Sequence, residues 1–256
     1  MLTTKSGAEI EVMHRANTLV LRILRELGER AAPGVTTGDL DDYAHDRLRQ
    51  EKVRSAFLGY RGYPKVLCAS VNDEVVHGIP SRQKILRSGD VLGLDFGVVV
   101  DGFFGDAAMT FAIGPVSPEA ERLLHVTERA LRAGIAAMLP GNRVSDVSRA
   151  VQTTVEVEGF SVVRDFVGHG IGTAMHEDPP VPNYVAGGND PRLVAGMVLA
   201  IEPMVNVGRA EVKVASDGWT ASTRDGSLSA HFERSVAVTA AGPRVLGEEV
   251  VVPART

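Results

Sequence analysis

The sequence predicts an α+β fold: a pseudo-twofold repeat of helix–helix–β-hairpin units with a central antiparallel sheet backed by helices. Three observations predict it. The stretch VLGLDFGVVVDGFFGDAAMTF, 91–111, holds two β-rich runs, Val91 to Val100 and Phe103 to Phe111, around Asp101-Gly102, a strong short-range hairpin signal. Each half of the chain places two segments of helical periodicity ahead of its β-rich run. The halves also repeat at a fixed displacement. Pro33-Gly34 recurs as Pro140-Gly141, Asp39-Leu40 as Asp146-Val147, and GDVLGLD (89–95) as GMVLAIE (196–202), all three by one and the same shift in numbering. Asp106 is matched by Glu233 at a larger shift, so the second hairpin has the longer connection. The expected organisation is a single domain over 1–256, with internal halves at about 6–114 and 115–240.

In chain order, Ser6-Gly7-Ala8-Glu9 has the form of a capping box, with Ser6 as N-cap. Ile10, Met13, Val20, Leu24 and Leu27 follow at helical spacing and predict one amphipathic helix to about Arg30. Pro33-Gly34 ends it. A second helix from near Thr37 carries Leu40, Tyr43, Ala44 and Leu48 on its buried face. An irregular, aromatic stretch, FLGYRGYPKVLCASVNDEVVHGIP, follows, and Arg87-Ser88-Gly89-Asp90 turns into the hairpin. With Asp101-Gly102 as its loop, Val100 faces Phe103, Gly97 faces Asp106 and Asp95 faces Ala108. Asp95 and Asp106 then share a face as diagonal neighbours, roughly 7–8 Å apart at the backbone, and Gly97 leaves space over Asp106. Leu92, Leu94, Phe96, Val98 and Val100 fall on the other face and predict core.

The second half opens with Ser117-Pro118-Glu119, N-cap then proline at the first helical position. That helix runs to about Met138 and stops at Pro140-Gly141; another runs to about Glu158 and stops at Gly159. FSVVRDFVGHGIG reads as a strand leading into a glycine-rich turn that carries His169. A proline-rich loop, Asp178 to Pro182, leads to GMVLAIEPMVNVG, read as a strand. A long connection containing Trp219 precedes the last long strand, SLSAHFERSVAVT.

Composition narrows the class. At 44% hydrophobic and 23% charged residues the chain is ordinary for a soluble globular protein. Net charge is −5 with no Lys/Arg block, which argues against nucleic-acid specificity. A lone cysteine, Cys68, excludes an intramolecular disulfide and fits a reducing compartment. No run approaches the ~18 apolar residues of a membrane span, and charged Lys5, Glu9 and Glu11 interrupt any signal-like apolar region at the N-terminus. A cytoplasmic protein without membrane attachment is expected.

The chemistry lies in the acids. Two converging carboxylates in so apolar a hairpin repel each other and take up protons unless cations hold them. The alternative, two solvated aspartates on an exposed face, loses force once the repeat supplies two more acids at matching places. Asp95, Asp106, Glu202 and Glu233 carry four negative charges, balanced by two divalent ions. His169 adds a neutral imidazole. Oxygen-dominated coordination with one imidazole suits Mn, Fe(II), Co or Mg better than a thiolate-type zinc site. A pair of such ions about 3.5–4 Å apart with a bridging hydroxide is a hydrolytic centre. His77 and His176, in loops before their hairpins, can donate to charge developing in a tetrahedral intermediate. His231 shares a strand with Glu233 and suits a supporting role. His14, His45 and His125 fall within predicted helices.

These motifs together carry a family resemblance. GYRGYPKVLCASVNDEVVHGIP, LDFGVVVDGFFGDAAMTF, GHGIGTAMHEDPPVPNY, GMVLAIEPMVN, DGWT and SLSAHFERSVAVT resemble the type I methionine aminopeptidases, from the N-terminal helix to about Val238. The resemblance implies the pita-bread fold and removal of the initiator methionine from nascent proteins and peptides, with a small second residue preferred. It implies that Asp95 holds the first metal, His169 and Glu202 the second, and that Asp106 and Glu233 bridge both. Hydroxide bridging the ions attacks the scissile carbonyl, Glu202 shuttles the proton, and His77 and His176 contact substrate. Phe57, Tyr60, Tyr63, Cys68, Met175 and Trp219 line a slot for an unbranched thioether, which apolar, aromatic and sulfur-bearing walls suit. Phe57 stands where smaller residues are frequent, Met175 where an aromatic is usual, and Arg61 where histidine is expected.

By the same resemblance the cofactors are two divalent ions, Co, Mn or Fe(II). The partners are peptides with N-terminal methionine, with at most a transient ribosome contact, and the protein is a monomer. The chain leaves no room for a zinc-finger or other extra N-terminal domain. The short spacing between His176 and Glu202 speaks against the type II insertion. Three rivals are weaker. X-Pro peptidases of this fold usually carry a large N-terminal domain, a phosphoesterase would need basic residues nearby, and a silent peptide-binding module would be expected to lose ligands.

Overall fold

The computed structural model describes residues 2–248; the expected domain limits at 1 and 256 lie outside the described residues. Two helices open each half. α1 (Gly7–Arg30) starts where the Ser6 hydroxyl accepts from the Glu9 N–H and the Glu9 carboxylate accepts from the Ser6 N–H. α2 (Thr37–Glu51) repeats the device with Thr36 and Asp39. In the second half α3 (Pro118–Ala136) begins at Ser117 with Pro118 in its first turn. α4 (Val144–Glu156) follows, with the Asp146 carboxylate accepting from the Arg143 N–H.

The first half supplies strands β1 (Arg54–Ser55), β2 (Leu67–Val71), β3 (Glu74–Val76), β4 (Val91–Val100) and β5 (Phe103–Ala112). The second supplies β6 (Ser161–Val162), β7 (Gly168–Gly170), β8 (Glu177–Val181), β9 (Val198–Ile201) and β10 (Met204–Asn206). After these come β11 (Val212–Val214), β12 (Ala221–Thr223), β13 (Ser229–His231), β14 (Glu233–Thr239) and β15 (Gly242–Val245). The central sheet runs β1-β4-β5-β14-β9-β7-β8, with β2 also on β4 and β15 also on β14. Two small sheets, β13-β10-β6 and β11-β12-β3, flank it. All the pairings in the central sheet are antiparallel.

The first hairpin has the expected register: Val100 pairs with Phe103, Gly97 with Asp106 and Asp95 with Ala108. Both loop residues are left-handed, Asp101 at φ 48° and Gly102 at φ 83°, as a two-residue turn matching strand twist requires. In the second hairpin β9 and β14 pair from Val198–Ala237 to Ile201–Arg234. The hairpins join where β5 meets β14, Ala108 opposite Glu233 and Ala107 opposite Arg234. This seam makes one sheet of two halves.

Each hairpin is covered by the helices of its own half. Leu92, Leu94, Phe96 and Val98 are buried against Ala16, Val20, Leu24 and Leu27 of α1 and Leu40 of α2; Val100 and Tyr43 are half-buried at the margin. Leu131, Met138, Val144, Val147, Leu199, Ile201, Val236 and Val238 form the counterpart. Among the described residues no helix is long and apolar enough to cross a membrane.

Several segments differ from their sequence reading. The irregular aromatic stretch contains β2 and β3. The proline-rich segment 178–182 is largely strand β8, which sits at the end of the sheet, where missing N–H donors are tolerated. His169 lies within β7, between β9 and β8, rather than in a turn. GMVLAIEPMVNVG is two strands in two sheets, broken at Glu202-Pro203, because proline cannot continue the ladder. SLSAHFERSVAVT is likewise broken, at Phe232, and β15 follows it. Each break turns the chain at a cavity-lining acid.

Close packing of α1 on β5 depends on Gly105, where a Cβ would stand 2.8 Å from the Ala16 carbonyl carbon and Cβ. Backbone cannot give way cheaply there. Gly105→Val is expected to cost about 2 kcal/mol and lower Tm by roughly 4–8 °C in a thermal melt; an unchanged Tm would contradict this packing.

Candidate metal centre

Five elements bring their side chains to one cavity of about 280 Å³: Asp95 from β4, Asp106 from β5, His169 from β7, Glu202 just after β9 and Glu233 at the head of β14. Asp106, His169 and Glu233 are buried, and one donor atom of each lies within 4.8 Å of the others. Glu202 closes the group, its Oε1 3.5 Å from His169 Nε2. Asp95, opposite Cys68 of β2, faces the same cavity.

Polar residues hold the backbone of these acids in place. The Asn17 side-chain oxygen accepts from the Asp106 N–H at 3.2 Å, and the Ser235 hydroxyl donates to the Asp106 carbonyl at 3.0 Å. The Asn183 amide donates to the Glu202 carbonyl at 3.0 Å. Thr110 bonds both the N–H and the carbonyl of His231, whose Nε2 is 3.8 Å from Glu202 Oε2. Sequence reasoning missed these four residues. Asn17 was accessible to it, as a lone amide on the apolar stripe of α1; the others become visible only once the strands pair.

Electrostatics show how costly the cluster is without cations. Burial pushes Asp95 up to about 7. Burial, then the charges of Glu233 and Asp95, raise Asp106 well above the carboxylate range. Glu202 and Glu233 rise for the same two reasons, burial first and neighbouring carboxylates second. Burial lowers His169 and His77 to about 4 and His231 to about 3, so all three imidazoles are neutral at pH 7.

The donor set fits divalent cations. Asp95 Oδ1, Asp106 Oδ1 and Glu233 Oε1 are buried with no hydrogen-bond partner among the described residues, a costly state for carboxylates. His169 Nδ1 lies 2.9 Å from the Gly170 carbonyl, which can only accept, so Nδ1 carries the ring proton. Nε2 is left with its lone pair toward Glu202 Oε1, 3.5 Å away, and a cation between the two would let both serve as ligands. Five donors, four of them carboxylates, match hard to borderline divalent ions.

One wall of the cavity is apolar. Phe57, Tyr63, Cys68 and Met175 are buried together, with Tyr60 and Trp219 against them. Tyr63 meets Trp219 edge to face at 5.0 Å and donates its hydroxyl to the Leu67 carbonyl. The expected space over Asp106 at Gly97 is instead filled from the slot side: a Cβ on Gly97 would stand 2.9 Å from Ala56 and from the Phe57 ring. Phe57 thus takes the room Gly97 leaves. His77 directly follows β3 at a left-handed φ of 59° and packs against Phe166 and Trp219. His176 stands at the mouth, 2.7 Å from the Tyr60 hydroxyl through Nδ1. With that hydroxyl donating, the neutral ring keeps its proton on Nε2. Partial enclosure and then the Arg61 charge hold His176 below its usual pKa. Phe166, Val167, Val76 and Met204 also line the cavity and were not singled out in the sequence.

Residues 11–240 match the model of Metallopeptidase family M24. A methionine aminopeptidase of Clostridium acetobutylicum is 49% identical over 246 residues, 96% of this chain and 98% of that protein. One of Escherichia coli is 41% identical over 246 residues, 96% of this chain and 93% of that protein. The crystal structure of a methionine aminopeptidase from Thermotoga maritima matches with a TM-score of 0.94 at 43% identity, over 97% of this chain and 100% of that one. An Xaa-Pro dipeptidase from Bacillus anthracis, at 19% identity, shares the fold with a TM-score of 0.77 over 96% of this chain and 62% of its own. The fold is the pita-bread arrangement expected from the sequence.

Raised carboxylate pKa values give a sign for the effect of pH. From pH 4 to 7 the metal-free fold holds protons on acids that are ionised when unfolded, so these acids lower stability progressively as pH rises. The depressed histidines act oppositely, their contribution complete above about pH 6.5. A divalent ion must displace the carboxylate protons to bind. The Tm gain from saturating Mn or Co is therefore expected to be larger at pH 7.5 than at pH 5, measured by calorimetry. An equal gain at both would contradict the assignment of these acids as ligands.

Proposed function

This chain belongs to metallopeptidase family M24, and from that premise we propose that it is a methionyl aminopeptidase removing the initiator methionine from nascent proteins and peptides, with a small second residue preferred. The observation that carries this reading is the adjacency of a buried acid–imidazole cluster to a sulfur- and aromatic-lined slot. The cluster suits a free amine and a scissile bond, and the slot suits one unbranched thioether. In this reading Asp95, Asp106, His169, Glu202 and Glu233 hold two divalent ions, Co, Mn or Fe(II). Bound there, such ions would polarise the scissile carbonyl and lower the pKa of water.

The remaining steps belong to the chain's own side chains. Phe57, Tyr60, Tyr63, Cys68, Met175 and Trp219 take the methionine side chain and exclude water from it. His176 donates from Nε2 to oxygen charge developing on the carbonyl, its ring fixed by Tyr60. Glu202, ionised when a cation stands beside it, would accept a proton from the attacking water and deliver it to the leaving amine. His77, neutral and packed against Trp219, offers a hydrogen bond to the substrate backbone. The protein is read as a cytoplasmic monomer, a single catalytic domain of two repeated halves, touching the ribosome only transiently.

Metal stripped by chelator should abolish release of methionine from Met-Ala-Ser, and adding Co, Mn or Fe(II) one ion at a time should restore it. No bound metal and no released methionine would instead favour a peptide-binding module. In the loaded enzyme, Glu202→Ala and His176→Ala are each expected to slow turnover at least ~100-fold, about 2.7 kcal/mol of transition-state stabilisation. Near-normal kcat in either variant would remove the role given to that residue.

A further inference from the structure

Among the described residues Arg61 is the only Lys or Arg lining the cavity, and neither the metal cluster nor the slot uses it. It sits on a short loop held in left-handed conformations, Gly59 at φ 82°, Arg61 at φ 48° and Gly62 at φ 88°. A left-handed arginine is uncommon. The side chain is exposed, with its guanidinium 5.5 Å from the centre of the Tyr60 ring, and Tyr60 in turn stacks on His176. Among the described residues no carboxylate forms an ion pair or hydrogen bond with Arg61, whereas the likewise exposed Arg82 is paired with Asp39 and Asp42.

We propose that Arg61 is a specificity-determining residue that favours peptides carrying an acidic side chain just beyond the second residue. This rests on the aminopeptidase reading above. If the N-terminal residue is held at the buried floor, the rest of the peptide must leave past the exposed rim, where Tyr60, His176 and Arg61 stand. The floor's carboxylates are deep, and bound cations would neutralise them, so Arg61 sets the charge that the emerging chain meets. A guanidinium anchored over an aromatic ring loses little freedom on pairing with a carboxylate.

The test uses metal-loaded enzyme and amidated peptides, so that no terminal carboxylate competes: Met-Ala-Asp-Gly-amide against Met-Ala-Lys-Gly-amide. At low salt kcat/KM should favour the aspartyl peptide about fivefold, and about 0.5 M salt should shrink that ratio. Arg61→Gln should bring the ratio close to one, and Arg61→Lys should keep most of it. A wild-type ratio near one, or a ratio unmoved by Arg61→Gln, overturns the proposal while leaving methionine release intact. Failure of both peptides together with Met-Ala-Ser would overturn the aminopeptidase reading itself, and the proposal with it.

Discussion

Four carboxylates brought into one largely buried cavity are the constraint on which the rest of this structure depends. Left alone they would repel, take up protons or turn outward. Here they are held by strands whose partners leave no freedom. Asp106 is clasped at its N–H by Asn17 and at its carbonyl by Ser235, and Glu202 is held at its carbonyl by Asn183. The fold therefore concentrates negative charge by backbone geometry, and the buried neutral histidines add lone pairs rather than compensating charge. Such an arrangement carries an electrostatic cost that a cation would relieve, so the same burial that raises the acids' pKa values favours metal binding.

The sheet supplies this geometry through duplication. Each half contributes two acids on an antiparallel hairpin, and the short pairing of β5 with β14 brings the hairpins edge to edge. Helices on one side bury the apolar faces, leaving the other side concave and lined by acids at one end and by sulfur and aromatic groups at the other. The same concavity explains why chains with little sequence in common share the fold: the frame needs only hairpin spacing and helix cover, while the walls can change.

Much of this was legible in the sequence because it is local. The hairpin register follows from Asp101-Gly102 and from alternation along the flanking strands, and the constant offset between the halves located Glu202 from Asp95. The helices announced themselves through Ser6, Thr37 and Ser117 at or beside their caps. What escaped was non-local. Pro179, Pro180 and Pro182 argued for a loop, yet an edge position lets that segment pair with β7. The breaks at Pro203 and Phe232 read as continuous strands because β-forming residues flank each of them. Thr110 and Asn183 have no signature at all, since the residues they bond, His231 and Glu202, come from other strands. Gly97 was read as room for Asp106, but Phe57 arrives there from a segment whose path the sequence does not fix.

The duplication is one of backbone, and chemistry departs from it beside the centre. His169 pairs with Ala200; shifting Ala200 back by the repeat offset gives Gly93, whose partner in β2 is Ser70. Where one half presents an imidazole to the centre, the other has Ser70, whose hydroxyl instead accepts from the Gly78 N–H. A twofold frame with unlike occupants has a front and a back.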